Sequence, residues 1–244
     1  MAAAPARETV VLLHGLARGR ISMWPLERAL RRCGYDVINL HHPTRRLDLA
    51  GLVGFVRERL ATMVPDRGRT PILHGVGHSL GGLVLLTALL DPPPPWQAHR
   101  LVTLGSPYRG ARVAADLAPW RAARQFFGPV LADLAPGSAA LRAALAQRPR
   151  HLEVGVIAGA GRLRPLAPAV LLDRRRALMR TTDGTVELRS ALGASWLFPQ
   201  ADRLVVDASH TLLPASPTVI RATIAFLEHG RFPPLDDLVR RARP

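Results

Sequence analysis

A serine between two glycines is the candidate reactive group of this chain. Residues 75–82 read Gly-Val-Gly-His-Ser-Leu-Gly-Gly, which places Ser79 at the centre of a G-x-S-x-G motif. The apolar run 71–74 precedes the motif and the helix-like run 83–90 follows it. Strand, motif and helix in this order are typical of a nucleophile elbow, a turn so tight that only glycines fit beside the serine. Ser79 is therefore the predicted nucleophile.

A serine hydroxyl is a poor nucleophile at neutral pH and needs a general base. In elbow-type sites the order along the chain is serine, acid, histidine, so the base is expected near the C-terminal end. Only His210 and His229 lie in the last fifth of the chain. His210 follows an apolar strand-like run and precedes a predicted helix over 217–228, whereas His229 lies at the far end of that helix. His210 is the predicted base.

The acid that orients the base is expected between Ser79 and His210, after the penultimate strand. Asp183 lies in a polar turn with a glycine directly after it, which favours a loop that folds back toward the sheet. Asp173 adjoins three arginines and is expected to form surface ion pairs. Asp202 is a third choice, and Asp207, three residues before the histidine, is interpreted as structural. Asp183 is the preferred acid.

The negative charge that develops during attack on a carbonyl requires two backbone N–H donors. One is the N–H of Leu80, directly after the predicted nucleophile. The other is expected from a loop after an early strand, where Gly15 permits a sharp turn that points the N–H of Leu16 toward Ser79. His14 beside this turn is expected to have a structural part.

These separated features resemble those of the α/β-hydrolase superfamily, and within it the small bacterial lipases and esterases. The resemblance implies a shaping role for the turn that contains Gly105, Pro107 and Gly110, and no catalytic role is assigned to Ser106. The general rule for open α/β sheets places the site at the carboxyl ends of the strands. The features that carry it are His14-Gly15-Leu16, Gly77-His78-Ser79-Leu80-Gly81, Gly105-Ser106-Pro107 with Gly110, Asp183-Gly184-Thr185-Val186, and His210.

Strand-like and helix-like runs alternate along the chain, which predicts an α/β fold with a mostly parallel sheet and helices on both faces. Strands are expected near 8–13, 36–40, 71–77, 100–104, 152–158 and 203–207. Helices are expected near 23–33, 48–63, 80–90 and 217–228. A length of 244 residues suits one α/β domain over residues 1–244.

Two long connections interrupt this pattern. Residues 108–149 are predicted to form a helical, cap-like insert, because apolar residues recur in it at spacings of three and four. The insert either covers an acyl pocket or only packs onto the domain. Residues 159–182 are irregular, and Arg174 to Arg176 within them are expected to edge the entrance. The apolar positions of the insert are Leu117, Trp120, Phe126, Phe127, Val130, Leu131 and Leu134.

The formal net charge is +15, and all 33 basic residues are arginine. The arginine clusters are scattered and aromatic residues make up only 5%, which argues against nucleic-acid binding. Peripheral contact with an anionic membrane fits the charge better. A lone cysteine, Cys33, and the lack of a leader-like start favour the cytoplasm, with or without membrane association. The oligomeric state is left open.

The expected reaction is hydrolysis of a carboxylic ester through an acyl-enzyme, with no metal or organic cofactor required. The substrate is expected to be a small-molecule or lipid ester, and the composition of the insert favours medium or long acyl chains. A thioesterase or amidase with the same residues is an alternative, because all three reactions pass through a similar tetrahedral species. A non-catalytic relative that binds lipid or a partner protein is a second alternative.

Overall fold

Six parallel strands form one sheet. A computed structural model of the protein describes residues 7–63, 70–90, 96–146, 151–161, 182–195 and 197–240. The sheet has the order β2-β1-β3-β4-β5-β6, and every neighbouring pair is parallel, which confirms the predicted fold class. The strands are β1 Thr9–Leu13, β2 Asp36–Leu40, β3 Ile72–His78, β4 Gln97–Leu104, β5 Glu153–Gly159 and β6 Asp202–Val206.

Alternate residues of the strands face opposite layers of helices. Val11 and Leu13 of β1 belong to one buried apolar cluster, and Val10 and Leu12 belong to another. The first cluster includes helices α2 and α3, and the second includes α1 and α9. Each fully buried aliphatic side chain stabilises the fold by about 1.5–3 kcal/mol. The layer helices are α1 Trp24–Arg32, α2 Leu49–Met63, α3 Leu80–Leu90 and α9 Pro217–His229.

The connection between β4 and β5 folds as four short helices, as the spacing of its apolar residues predicts. Val130, Leu131 and Leu134 are buried in the first cluster. By contrast, Trp120 and Phe126 are exposed, so the predicted apolar stripe does not face inward along its whole length. These helices are α4 Arg112–Leu117, α5 Arg121–Phe127, α6 Val130–Asp133 and α7 Ala139–Ala144.

The remaining described helices are short and follow β5 and β6. They are α8 Leu188–Ala191 and α10 Leu235–Arg240, with 3-10 helices at Arg20–Met23, Leu192–Ser195 and His210–Ala215. Asp173 and Arg174 to Arg176 lie outside the described residues, and the extent of a single domain over 1–244 stays a prediction. Within the described ranges, no helix combines the length and apolar character needed to cross a membrane.

The strand order changes direction between β1 and β3, and this change locates the site. The chain goes from β1 to β2 on one side, and then returns to pair β3 on the other side of β1. In open α/β sheets, the crevice outside the carboxyl ends at such a point is where ligands bind. Leu13 at the end of β1 is in register with Gly77 of β3, so the segments that follow these two residues emerge side by side.

Buried histidines lie close to this edge. His42 is fully buried, and its two ring nitrogens have no hydrogen-bond partner among the described residues. Its ring lies 4.3 Å, centroid to centroid, from that of His14. Burial, with smaller contributions from His14 and His41, lowers the pKa of His42 from 6.5 to about 3. Burial is also the main cause of the lowered pKa values of His14 and His78.

These histidines predict a loss of stability in mild acid. Their folded-state pKa values lie below the unfolded value of 6.5, so the unfolded chain takes up protons first as pH falls. The contribution of these histidines to the free energy of unfolding is therefore fully present above about pH 6.5. It decreases from there toward about pH 3, by up to about 1.4 kcal/mol per pH unit for each histidine. Urea unfolding measured across this range should show the decrease, and His42→Leu should reduce its slope. A free energy of unfolding that stays constant down to about pH 5 would contradict this account.

Candidate active site

Ser79 lies at the reversal between β3 and α3. Its φ is +55°, a left-handed conformation that non-glycine residues rarely adopt. A Cβ on Gly77 would approach the backbone of Gly82 to 2.4 Å, and a Cβ on Gly81 would approach the Leu13 carbonyl oxygen to 2.5 Å. The close approach of these backbones makes the turn sharp, as the motif predicts, and leaves the serine on its outer side.

His210 and Asp183 are joined at two points. The ring Nδ1–H of His210 donates to Asp183 Oδ2 at 2.7 Å, and its backbone N–H donates to the Asp183 carbonyl at 3.0 Å. Both side chains are buried. Because Nδ1 is occupied by the carboxylate, the ring nitrogen that remains available for proton transfer is Nε2. The two predicted residues are 27 positions apart in sequence and meet only because β5 and β6 are neighbours.

The Asp183 carboxylate is held by its own turn. Its Oδ1 accepts hydrogen bonds from the N–H groups of Thr185 at 3.0 Å and Val186 at 2.8 Å. Gly184, which lies between Asp183 and Thr185, has a φ of +103°, and this explains the glycine after the acid. The turn therefore fixes one carboxylate oxygen and presents the other to His210.

The other acids considered from the sequence occupy different places. Asp202 begins β6, at the opposite end of the strand from His210, and its Oδ2 accepts a hydrogen bond from the N–H of Phe232. Asp207 is exposed just after that strand. Among the described carboxylates, Asp183 alone contacts the His210 ring.

The turn after β4 completes this side of the site. A Cβ on Gly105 would lie 3.0 Å from Asp183 Oδ2 and 3.1 Å from His210 Nδ1, so this position needs glycine for space as well as for its φ of +60°. Ser106, the next residue, is buried, and its hydroxyl has no partner among the described residues. Pro107 lines the cavity described below, whereas Ser106 lies behind it, against Gly82.

The loop after β1 lies across the turn from Ser79. Ala17 has a φ of +53°, and its N–H donates to Thr44 Oγ1 at 3.2 Å. Ala17 and Ser79 are the two non-glycine residues with positive φ in the described ranges, and both adjoin the same cavity. Within those ranges, the N–H groups of Leu16 and Leu80 have no hydrogen-bond acceptor.

His14 is bonded within this region rather than presented to the cavity. Its Nδ1–H donates to the Gly15 carbonyl at 2.9 Å, and its Nε2 accepts from His41 Nδ1–H at 3.1 Å. No group of three or more His, Cys, Asp or Glu side chains in the described part of the chain is arranged to hold a metal ion.

His78, the residue before the serine, has a contact that sequence reasoning missed. It is buried, and its Nε2–H donates to the His210 backbone carbonyl at 2.9 Å. The two rings lie 4.7 Å apart, and burial is the main cause of a His78 pKa well below 6.5. His78 is therefore neutral at physiological pH and ties the segment that carries His210 to β3. Its position inside the motif was the available signal, but the partner is 132 residues away.

A largely apolar cavity of about 410 Å³ opens above these residues. Ser79 and His210 lie on its wall, together with Leu16 and Arg18 of the loop after β1. The insert between β4 and β5 supplies the largest share of the apolar wall. Those residues are Ala111, Val113, Ala114, Leu117, Phe127, Leu131 and Leu134.

The fold is similar to those of several solved structures, among them a lipase and a carboxyl esterase. A gene product of Listeria innocua (lin2722) matches with a TM-score of 0.64 and 18% identity, over 92% of this chain and 95% of that one. Mature Bacillus licheniformis lipase BlEst2 matches with a TM-score of 0.58 and 21% identity, over 92% and 91%. The metagenomic carboxyl esterase MGS0156 matches with a TM-score of 0.66 and 20% identity, over 86% and 66%. At these identities the likeness concerns the fold.

The amino-acid sequence identifies the family to which the protein belongs. No curated protein matches the chain significantly. The model of the alpha/beta hydrolase family matches residues 10–223, which include the serine motif, the Asp183 turn and His210. This match covers most of the chain and agrees with the parallel sheet and with the similar solved structures. The protein belongs to the alpha/beta hydrolase family.

Proposed function

We propose that this hydrolase is a serine esterase that cleaves carboxylic esters through an acyl-enzyme, with Ser79 as nucleophile, His210 as base and Asp183 as the acid that orients it. The observation that carries the proposal is the 2.7 Å hydrogen bond between buried His210 and Asp183, beside a serine held in a left-handed turn on the same cavity wall. A His–Asp pair with only a structural role would not require a serine in a strained conformation beside it.

In the proposed first step, His210 Nε2 takes the proton of the Ser79 hydroxyl as its oxygen attacks the ester carbonyl carbon. The Asp183 carboxylate stabilises the imidazolium cation that forms. The N–H groups of Leu16 and Leu80 donate to the carbonyl oxygen as it becomes negative. His210 then gives its proton to the leaving alcohol, which departs and leaves the acyl group on Ser79.

In the second step, a water molecule replaces the alcohol. His210 takes a proton from this water, and the resulting hydroxide attacks the acyl carbon. The tetrahedral species collapses, Ser79 recovers its proton from His210, and the acid product leaves. Proton transfer and backbone donors account for the whole cycle, so the proposed chemistry uses no cofactor.

The cavity supports an ester with an apolar acyl group. Its volume of about 410 Å³ lies within the usual range of sites for small organic molecules, and insert residues such as Leu131 and Phe127 form its apolar wall. This arrangement favours the interpretation of the insert as a cover for an acyl pocket. Side by side assays with ester, thioester and amide substrates of equal acyl length test the alternative thioesterase or amidase activity.

Labelling with a fluorophosphonate tests the nucleophile without a natural substrate. The wild-type protein should gain one adduct by intact-mass analysis, and Ser79→Ala should gain none and lose about 10⁴-fold or more in esterase kcat. Ser106→Ala is the matched control, because this neighbouring serine is buried away from the cavity, and it should still be labelled. An adduct on Ser79→Ala would refute the assignment.

The acid assignment predicts unequal effects of two isosteric changes. Asp183→Asn removes the negative charge beside the imidazolium and permits the wrong ring tautomer, so esterase kcat should fall by about 10⁴-fold. Asp202→Asn alters a carboxylate at the other end of β6 and should change kcat less than about threefold. Steady-state kinetics on a soluble ester compare the two, and the reverse order would transfer the role to Asp202.

His78 is proposed as a positioning residue that acts through His210. His78→Phe keeps the ring but removes the donor to the buried His210 carbonyl, so it should destabilise the fold by about 1–3 kcal/mol and lower kcat about tenfold. Turnover is measured per labelled active site, so that unfolded protein does not count. KM should stay unchanged, and His78→Gln, which keeps an N–H donor, should recover part of kcat. Full kcat in His78→Phe would remove the role.

A further inference from the structure

Helix α5 of the insert buries none of its seven residues. Trp120, directly before it, is 69% exposed, and Phe126 within it is 53% exposed. Trp120 and Arg124 are one helical turn apart, since the Arg124 N–H donates to the Trp120 carbonyl. Large apolar side chains exposed on a short surface helix point to a site of interaction rather than to part of a core. We name the surface formed by Trp120, Arg121, Arg124 and Phe126 the α5 surface.

The α5 surface adjoins the mouth of the cavity. The ring of exposed Phe126 contacts that of Phe127 edge to face, with centroids 4.9 Å apart, and Phe127 lines the cavity. Val113 of α4 also lines the cavity and is itself exposed. A structure that covers the α5 surface therefore lies directly beside the entrance for substrate.

The charge around the α5 surface is mostly positive. From Arg109 to Pro129 the insert contains four arginines and a single acidic residue, Asp116. Arg45 adds a fifth cation: its guanidinium lies 4.5 Å from the Phe126 ring centroid, and its Nε–H donates to the Phe126 carbonyl. None of these five arginines pairs with a described carboxylate. They are the arginines at 45, 109, 112, 121 and 124.

We propose that the α5 surface is a membrane-binding surface that seats the cavity mouth on an anionic lipid bilayer. Tryptophan and phenylalanine enter the region between headgroups and acyl chains, while arginines beside them contact lipid phosphates. Charge complementarity selects this partner. A second copy of the chain would bring two sets of unpaired arginines together, which is repulsive.

Membrane binding is inferred from the exposure and the charge of the α5 surface, and it does not depend on the proposed esterase chemistry. Together the two give a substrate class: the acyl chain of a lipid ester would pass from the bilayer between Val113 and Phe127 into the apolar cavity. This substrate class rests on the proposed function.

The test is sedimentation of the full chain with vesicles of phosphatidylcholine, with or without phosphatidylserine. Wild-type protein should bind the vesicles that contain phosphatidylserine, and binding should weaken in high salt. R121Q/R124Q should weaken binding about 30-fold, and W120S/F126S about tenfold or more. None of these four residues lines the cavity, so hydrolysis of a short soluble ester should stay at the wild-type level.

Matched controls separate this surface from net charge alone. R32Q/R59Q removes one exposed arginine from α1 and one from α2, and L235S removes an exposed leucine from α10. Both should bind vesicles as the wild type does. Equal weakening by R32Q/R59Q and R121Q/R124Q would overturn the proposal, because binding would then depend on total charge.

Other occupants of the α5 surface give different results, each of which overturns the proposal. If another part of this chain covers it, W120S/F126S will lower the melting temperature and leave vesicle binding unchanged. If a second copy covers it, wild-type protein will dimerise with rising concentration in sedimentation velocity runs and W120S/F126S will not. If the wild-type protein does not hydrolyse a short soluble ester, the proposed function is refuted, whereas the result for membrane binding still holds.

Discussion

The left-handed conformation of Ser79 persists because strand β3 and helix α3 meet backbone to backbone at Gly77, Gly81 and Gly82. Such a conformation costs a non-glycine residue about 1–3 kcal/mol. The cost is offset by α3, in which nine of eleven residues are buried. Because the turn is this sharp, the serine side chain, the first N–H groups of α3 and the end of β1 all reach the same crevice. The remaining parts of the site are arranged around that point.

The positions of His210 and Asp183 depend on the two loops that carry them and on Gly105, which leaves space for both side chains. Asp183 is held by N–H groups of its own turn, and His210 by its bonds to Asp183 and to His78. Gly105 leaves the space in which the carboxylate and the ring meet. The His210 ring is thus fixed by residues at or after three strands, β3, β5 and β6, and its orientation follows from the order of the sheet.

Much of the fold and of the candidate site can be predicted from local patterns in the sequence. The six strands and the four layer helices were predicted within about three residues at most boundaries, because buried parallel strands are short apolar runs between clear turn signals. Ser79 is defined by its own flanking glycines. The glycine after Asp183 favours this residue over Asp173 and Asp202, and the structure brings Asp183 to His210. Its catalytic role stays a proposal.

Long-range contacts could not be predicted in the same way. The bond from His78 to the His210 carbonyl joins residues 132 positions apart, and no local pattern records such a partner. The insert illustrates a different limit. Its helical spacing was predicted correctly, but spacing alone does not tell which apolar residues face the protein, and Trp120 and Phe126 face outward.

The insert's part of the cavity wall and the residues Ser79, Asp183 and His210 are encoded in separate parts of the gene. Seven residues of the wall come from one uninterrupted stretch, from Ala111 to Leu134, and none of them forms a described hydrogen bond with the Asp183 side chain. Ser79, Asp183 and His210 come from segments before and after it. Recombination or drift confined to that stretch therefore alters the shape of the cavity and leaves the segments that carry Ser79, Asp183 and His210 unchanged. Relatives are expected to diverge fastest between β4 and β5.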